Sequence, residues 1–203
     1  MTRFHEFRHL QKPLQWLNDE VVNYFFALLE ARADRPDANG RTPILTAFFN
    51  SFFFERYRLG YAAVEKWSKK KRIKLLDFDK VFFPVHVNGN HWCLAVINFL
   101  DRRFEYYDSL RNRPGLWVFN SLREYVVKEA KNYHNRPNYN FEGWTEYVPQ
   151  DIPHQDNGSD CGVYMCKYAD YLSNGLDIPT RFQKDEIKLF RRRMLAQIID
   201  NRY

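Results

Sequence analysis

The sequence is poor in several things that would fix its class at once. It has only three cysteines, Cys93, Cys161 and Cys166, an odd number without regular spacing. That excludes a disulfide framework and gives no zinc-ligand pattern, and free thiols point to a reducing compartment. Glycine and proline are scarce, at 8 and 9 of 203 residues, so no low-complexity or collagen-like segment is present. No internal repeat occurs. No apolar run reaches membrane-span length, and Met1 to Lys12 is polar with no apolar signal core, so neither a span nor a leader is expected. The charge balance is only mildly one-sided: a net +6 suits an acidic partner surface but does not by itself make a nucleic-acid binder.

What the sequence has is aromatic mass. Phe, Tyr and Trp make up 18% of the chain and hydrophobic residues 45%, which argues against disorder. At 203 residues the expectation is one domain, 1–203, with about 1–15 as an extended lead-in. Asn18 is a candidate N-cap for a helix to about Ala33, with Asp19 and Glu20 in its first turn. Asp34 to Pro43 reads as a loop. The Phe-rich stretch Ile44 to Phe54 fits strand or helix equally, and Tyr61 to Trp67 reads as a short helix. Ser68 to Lys74 carries five basic residues; a nuclear-localisation patch or a nucleic-acid contact competes there with a plain solvated loop. Three antiparallel strands follow, Lys80 to Val87, His91 to Phe99 and Arg103 to Asp108, the first pair joined by the Asn88-Gly89-Asn90 turn. Helices are expected from Pro114 to about Tyr133, from Cys161 to about Asn174 and over Gln183 to Asp200. Phe141 to Val148 is a candidate strand, and Arg191 to Arg193 is read as a solvent face.

The stretch that concentrates chemistry is Gln155-Asp156-Asn157-Gly158-Ser159-Asp160-Cys161-Gly162. A polar loop ends at a cysteine, and an apolar-rich helical run begins there with Ser159 or Asp160 as N-cap. Unpaired N–H groups and the helix dipole at such a start favour negative charge. Cys161 is therefore the candidate nucleophile, and it needs a base and an oxyanion site. His91 opens one strand and Asp108 closes the next, so the meander brings them to the same end of the sheet. In that arrangement His91 takes the thiol proton and Asp108 holds the imidazole. Gln155 is the candidate oxyanion donor beside the Cys161 backbone N–H. From residue types alone the assignment is weak, because histidines at strand starts are usually structural, Asp108 can be a turn former and most free cysteines are buried. Cys93 and Cys166 fit that last description better than Cys161, and His86 and His154 are substitute bases.

The motifs Trp16-Leu17-Asn18-Asp19-Glu20-Val21-Val22-Asn23, His91-Trp92, Tyr107-Asp108-Ser109 and Asn157-Gly158-Ser159-Asp160-Cys161-Gly162 occur in that order. Together they resemble the catalytic domain of the SUMO-specific cysteine proteases, the Ulp/sentrin-protease family, from about Leu14 to the last helix. The resemblance implies an α+β, papain-like fold with a central, mostly antiparallel sheet flanked by helices. It implies His91, Asp108 and Cys161 as the triad and Gln155 in the oxyanion hole, with Trp16 and Trp92 lining a narrow tunnel for a Gly-Gly tail. Flat aromatic walls would clamp an extended backbone and exclude residues bearing a Cβ. Asp19 would meet basic residues of the modifier. The implied activity is a thiol protease and isopeptidase cleaving after the Gly-Gly of SUMO-like modifiers, in maturation, deconjugation or both. SUMO or SUMO-conjugated proteins are the implied partners, with no metal or cofactor, no need of nucleic acid or membrane, and a monomeric state. The nucleus is the implied address, with the cytoplasm also open. The resemblance departs from the family in one respect, since only 15 residues precede the Trp-Leu-Asn-Asp-Glu motif, which bears on substrate affinity more than on chemistry.

Overall fold

The computed structural model describes residues 15–33 and 44–200. The expected lead-in and the expected 34–43 loop lie outside the described residues. One five-stranded sheet organises the rest, in the order β1 (Thr46–Phe48), β2 (Lys80–Val87), β3 (His91–Asn98), β4 (Arg103–Tyr107), β5 (Thr145–Tyr147). The middle three strands are antiparallel, while short β1 and β5 add in parallel at the two edges. Val87 pairs with His91, so the β2–β3 loop has three residues; Asn88 and Gly89 both adopt left-handed backbone there, φ 51° and 72°, and the Asn90 N–H closes the turn on the Val87 carbonyl at 3.2 Å.

Alternate residues of β3 feed two cores. Trp92, Leu94 and Val96 face α1 (Asp19–Ala33), α5 (Cys161–Ser173) and α6 (Lys184–Asp200). Cys93, Ala95 and Ile97 face α2 (Phe53–Tyr57), α3 (Glu65–Lys71) and α4 (Leu116–His134). A strand covered on both faces has no polar side, which is why His91–Asn98 reads as a nearly unbroken apolar run.

The ambiguous Phe-rich stretch is part strand and part helix, and its phenylalanines split between the two cores. Phe48 stacks on Phe82 at 4.8 Å on one side, and Phe49 stacks on Phe83 at 4.7 Å on the other. Phe53 fits between Phe83, 4.7 Å away, and Tyr125, 4.9 Å away. The basic run corrects an expectation. Lys69, Lys70 and Lys71 form the last turn of α3 rather than a loop, where the helix dipole favours cations, and Lys71 pairs with Glu30 at 2.9 Å. The short helix expected over Tyr61–Trp67 is a 3₁₀ turn, Tyr61–Ala63, followed by α3. The strand expected over Phe141–Val148 shrinks to Thr145–Tyr147. Phe141 and Trp144 turn back at that point onto Phe104, at 5.2 and 4.9 Å, closed by a Trp144 N–H to Phe141 C=O bond of 3.0 Å.

Candidate active site

The β3–β4 register decides where the base and its partner meet. Leu94 lies opposite Tyr107, so Asp108 follows the end of β4 beside the start of β3. There His91 Nε2 stands 2.6 Å from Asp108 Oδ1, and the same oxygen accepts the Leu110 N–H at 2.7 Å. Burial opposes charge on both groups and is outweighed on both. Hydrogen bonding to Asp108, with further bonds to the thiols of Cys161 and Cys93, pushes the imidazole's pKa up to about 12. The hydrogen bonds from His91 and from the Leu110 N–H hold the Asp108 carboxyl below its usual range. The imidazole thus spends Nε2 on the carboxylate, which leaves Nδ1 as its other ring nitrogen.

Cys161 is the first residue of α5 and is 2% exposed. Its position is set by the loop before it, and Asn157 is the hub of that loop. Asn157 Oδ1 accepts the N–H groups of Ser159 and Asp160 at 2.9 and 3.0 Å, and its Nδ2 donates to Asp160 Oδ2 at 2.9 Å. Asp160 occupies the N-cap position but makes no side-chain cap bond. Its carboxylate is engaged instead by Arg191 of α6 as well as by Asn157. Gly162 follows Cys161 where a Cβ would lie 3.0 Å from Leu17 Cβ and 3.1 Å from Trp92 Cδ1, so that one of these side chains would have to give by a few tenths of an ångström.

Gln155 is buried between the two motifs. Its Oε1 accepts the Ser109 hydroxyl at 2.6 Å, its Nε2 donates to the Asn157 carbonyl at 2.5 Å, and its backbone N–H donates to the Ser109 carbonyl at 3.1 Å. The two tryptophans differ. Trp92 is 4% exposed, donates to the Leu17 carbonyl at 2.8 Å and stacks on His86 at 4.2 Å. Trp16 is 50% exposed and donates to the Gly158 carbonyl at 2.8 Å, which ties it to the loop before Cys161. Trp16, Asp19, Phe52, Glu55 and Trp92 share one cleft of about 850 Å³, whose lining includes no member of the Cys161–His91–Asp108 group.

Cys166, His86 and His154 lie apart from this arrangement, whereas Cys93 sits beside His91. Cys166 is fully buried on α5, and burial raises its pKa. Burial likewise raises Cys93, to about 11. His86 stacks on Trp92, and His154 sits at the surface with its Nδ1 2.9 Å from Arg111. His91, Cys93 and Asp108 do present metal-type donor atoms within 4.8 Å of one another. Two donors of one ion at about 2.1 Å each stand near 3 Å apart, so the 2.6 Å between Nε2 and Oδ1 fits a shared proton rather than a shared ion.

Three residues of the site escape a motif-by-motif reading. Ser109 and Asn157 lie inside the quoted motifs, but nothing in the sequence says what their side chains hold. Arg191 corrects the expected Arg191–Arg193 solvent face: Arg192 and Arg193 are exposed, whereas Arg191 is buried. A signal was there, since Arg191 falls in the helical stripe of Ile187, Met194 and Ile198, all buried.

The sequence model described as "Ulp1 protease family, C-terminal catalytic domain" matches residues 15–202. The chain belongs to the Ulp1 protease family. Ubiquitin-like-specific protease 1A of Arabidopsis thaliana is 37% identical over 195 residues, covering 93% of this chain and 37% of that protein. Sentrin-specific protease 2 of Mus musculus is 36% identical over 191 residues, covering 93% of this chain and 30% of that protein. Among these relatives the chain spans well under half of the protein it matches. The solved C-terminal Ulp1 protease domain in complex with Smt3, the yeast ortholog of SUMO, superposes with a TM-score of 0.80. It is 30% identical, over 97% of this chain and 82% of that one. The α+β, papain-like Ulp1 architecture expected from the motifs is therefore the architecture of this chain. Its antiparallel β2–β3–β4 meander carries His91 and Asp108, and α5 carries Cys161.

Proposed function

We propose that this Ulp1-family domain is a thiol protease and isopeptidase that cleaves after the C-terminal Gly-Gly of SUMO-like modifiers. The observation that carries the reading is the 2.6 Å His91–Asp108 bond, on an imidazole whose pKa is raised in part by the thiol of Cys161 at a helix start. In this reading the resting pair is a Cys161 thiolate beside a His91 imidazolium, and the sulfur attacks the glycine carbonyl carbon. The oxyanion is held by the Cys161 backbone N–H, free at a first helical position, and by Gln155 Nε2. Collapse breaks the C–N bond, and His91 returns its proton to the leaving lysine or peptide amine. Water, deprotonated by His91, then hydrolyses the thioester and releases the modifier's carboxylate. Cysteine and histidine supply both nucleophile and acid, so the chemistry calls for no metal or organic cofactor.

The modifier-binding role of Trp16, Trp92 and Asp19 belongs to the same proposal. A tail without side chains fits beside indole walls, and Asp19 with Glu55 offers carboxylates along the cleft to basic residues of a ubiquitin-like body. The proposed partners are SUMO and its conjugates, the proposed state is a monomer, and the proposed address is the nucleus. Support for SUMO itself comes from the relatives and from the likeness to a SUMO-bound Ulp1 domain. Among the described residues no helix is long and apolar enough to cross a membrane.

The test is covalent capture with SUMO, Nedd8 and ubiquitin, each bearing a thiol-reactive C-terminal warhead, beside a Cys161→Ala control. A SUMO adduct lost in the control is expected, with Cys161→Ala still binding SUMO. Capture of Nedd8 or ubiquitin alone would keep the mechanism and overturn the substrate. A folded protein that captures none would turn out to be a binding module.

A further inference from the structure

We infer that Ser109 is a positioning residue for the oxyanion donor: its hydroxyl anchors the Gln155 amide in the orientation that the Asn157 carbonyl selects. The inference rests on the proposed acyl-transfer chemistry and deepens it.

A glutamine side chain is useful to an oxyanion only through its NH₂ end. Rotated by 180°, it would present a carbonyl oxygen to a developing negative charge, which repels rather than stabilises. Two contacts set the orientation here. The Asn157 carbonyl can only accept, so the atom 2.5 Å from it is the NH₂ nitrogen. That leaves Oε1 facing Ser109, whose hydroxyl donates to it at 2.6 Å. One amide hydrogen is thus used on Asn157 and one remains for the oxyanion. Gln155 and Ser109 are both buried, at 6% and 2% exposed, so water is a poor substitute for either contact. Ser109 also directly follows Asp108. The short segment that closes β4 therefore holds the two catalytic partners at once, the imidazole through Asp108 and the amide through Ser109. The Ser109 carbonyl accepts the Gln155 backbone N–H at 3.1 Å, a contact that any side chain at 109 retains. Removing the hydroxyl therefore leaves the amide held by the Asn157 carbonyl alone and loosens it without releasing the loop.

The experiment measures kcat and KM on SUMO bearing a C-terminal aminomethylcoumarin, for wild type, Ser109→Ala, Ser109→Thr, Gln155→Ala and the Ser109→Ala/Gln155→Ala double variant. Losing an oxyanion donor outright costs about 100- to 1,000-fold in kcat, and a donor held by one contact instead of two should lose about 10-fold. The expected pattern is a drop in kcat near 10-fold for Ser109→Ala with KM within about twofold, and recovery of most of it in Ser109→Thr. In the Gln155→Ala background, Ser109→Ala should change kcat by less than about twofold, because there is no amide left to orient. Independent, multiplying effects, or an unchanged kcat in Ser109→Ala, would overturn the inference. A fall in thermal stability that accounts for the lost activity, with no rescue by threonine, would make Ser109 merely structural. Wild-type protein inactive on every modifier would instead remove the proposed function itself.

Discussion

Arg191, near the middle of the last helix, and Asp160, the residue before Cys161, form an ion pair whose side chains are only 6% and 13% exposed. The same guanidinium donates to the Gln15 carbonyl at 3.0 Å, next to Trp16. One buried cation therefore joins α6 to the start of α5 and to the chain that carries the exposed tryptophan.

Removing one partner of such a pair leaves a buried charge uncompensated, which costs about 3–5 kcal/mol. Arg191→Met is expected to destabilise the domain by an amount in that range. Arg191→Met with Asp160→Asn should recover part of the loss, because the stranded carboxylate is gone. Urea unfolding of the three proteins checks this. A loss below about 1 kcal/mol for Arg191→Met would mean that the pair is as weak as a surface one.

The His91–Asp108 pair makes a pH prediction. The imidazole's proton affinity is raised on folding from its ordinary 6.5 to about 12, so its stabilisation is whole below pH 6.5 and is lost as pH climbs between those values. The carboxyl of Asp108 is lowered, so its contribution is present above its ordinary 3.8 and is lost as acid protonates it. Asp108→Asn should return His91 toward ordinary titration and lower kcat/KM by about 1,000-fold or more. Nitrogen NMR at pH 8 should show His91 protonated in the wild type and neutral in Asp108→Asn. Wild-type His91 titrating near 6.5 would sink the electrostatic account of the site.

The two tryptophans should respond differently to the same truncation. Trp16 is half exposed, so Trp16→Ala should cost about 1 kcal/mol or less of stability while cutting cleavage of modifier substrates at least tenfold. Trp92 is buried in the core against Leu17 and Gly162, so Trp92→Ala should cost about 3–5 kcal/mol and lose activity partly through unfolding. Paired thermal melts and cleavage rates separate the cases. Wild-type cleavage by Trp16→Ala would remove the exposed indole from the substrate path.

Much of this domain was legible in residue order. The Asn-Gly turn and the apolar runs beside it locate the meander, and strand topology alone brings His91 and Asp108 to one end of a sheet. The 2.6 Å contact between them agrees with that. Asn18 caps α1 as its residue type suggests, through the Val21 N–H at 3.0 Å. The place of Cys161 at a helix start follows from a polar loop running into an apolar helical pattern. These features are local, or are separated by a single hairpin, and so propensity and turn chemistry determine them.

Tertiary structure decided what depends on distant partners. The Phe-rich stretch splits between strand and helix because β1 must pair with β2 and Phe53 must fill the space between Phe83 and Tyr125. Arg191 turns inward because a carboxylate 31 positions earlier in the chain needs a counter-charge. Trp92 is a core residue and Trp16 a surface one, although both are tryptophans beside short motifs, because only one is covered by α5 and Leu17. The orientation of Gln155 is set by Ser109, 46 positions away, and by Asn157. Residue types nominate the chemistry of this site, whereas burial and hydrogen-bond partners across the chain decide which atom of each residue faces the substrate.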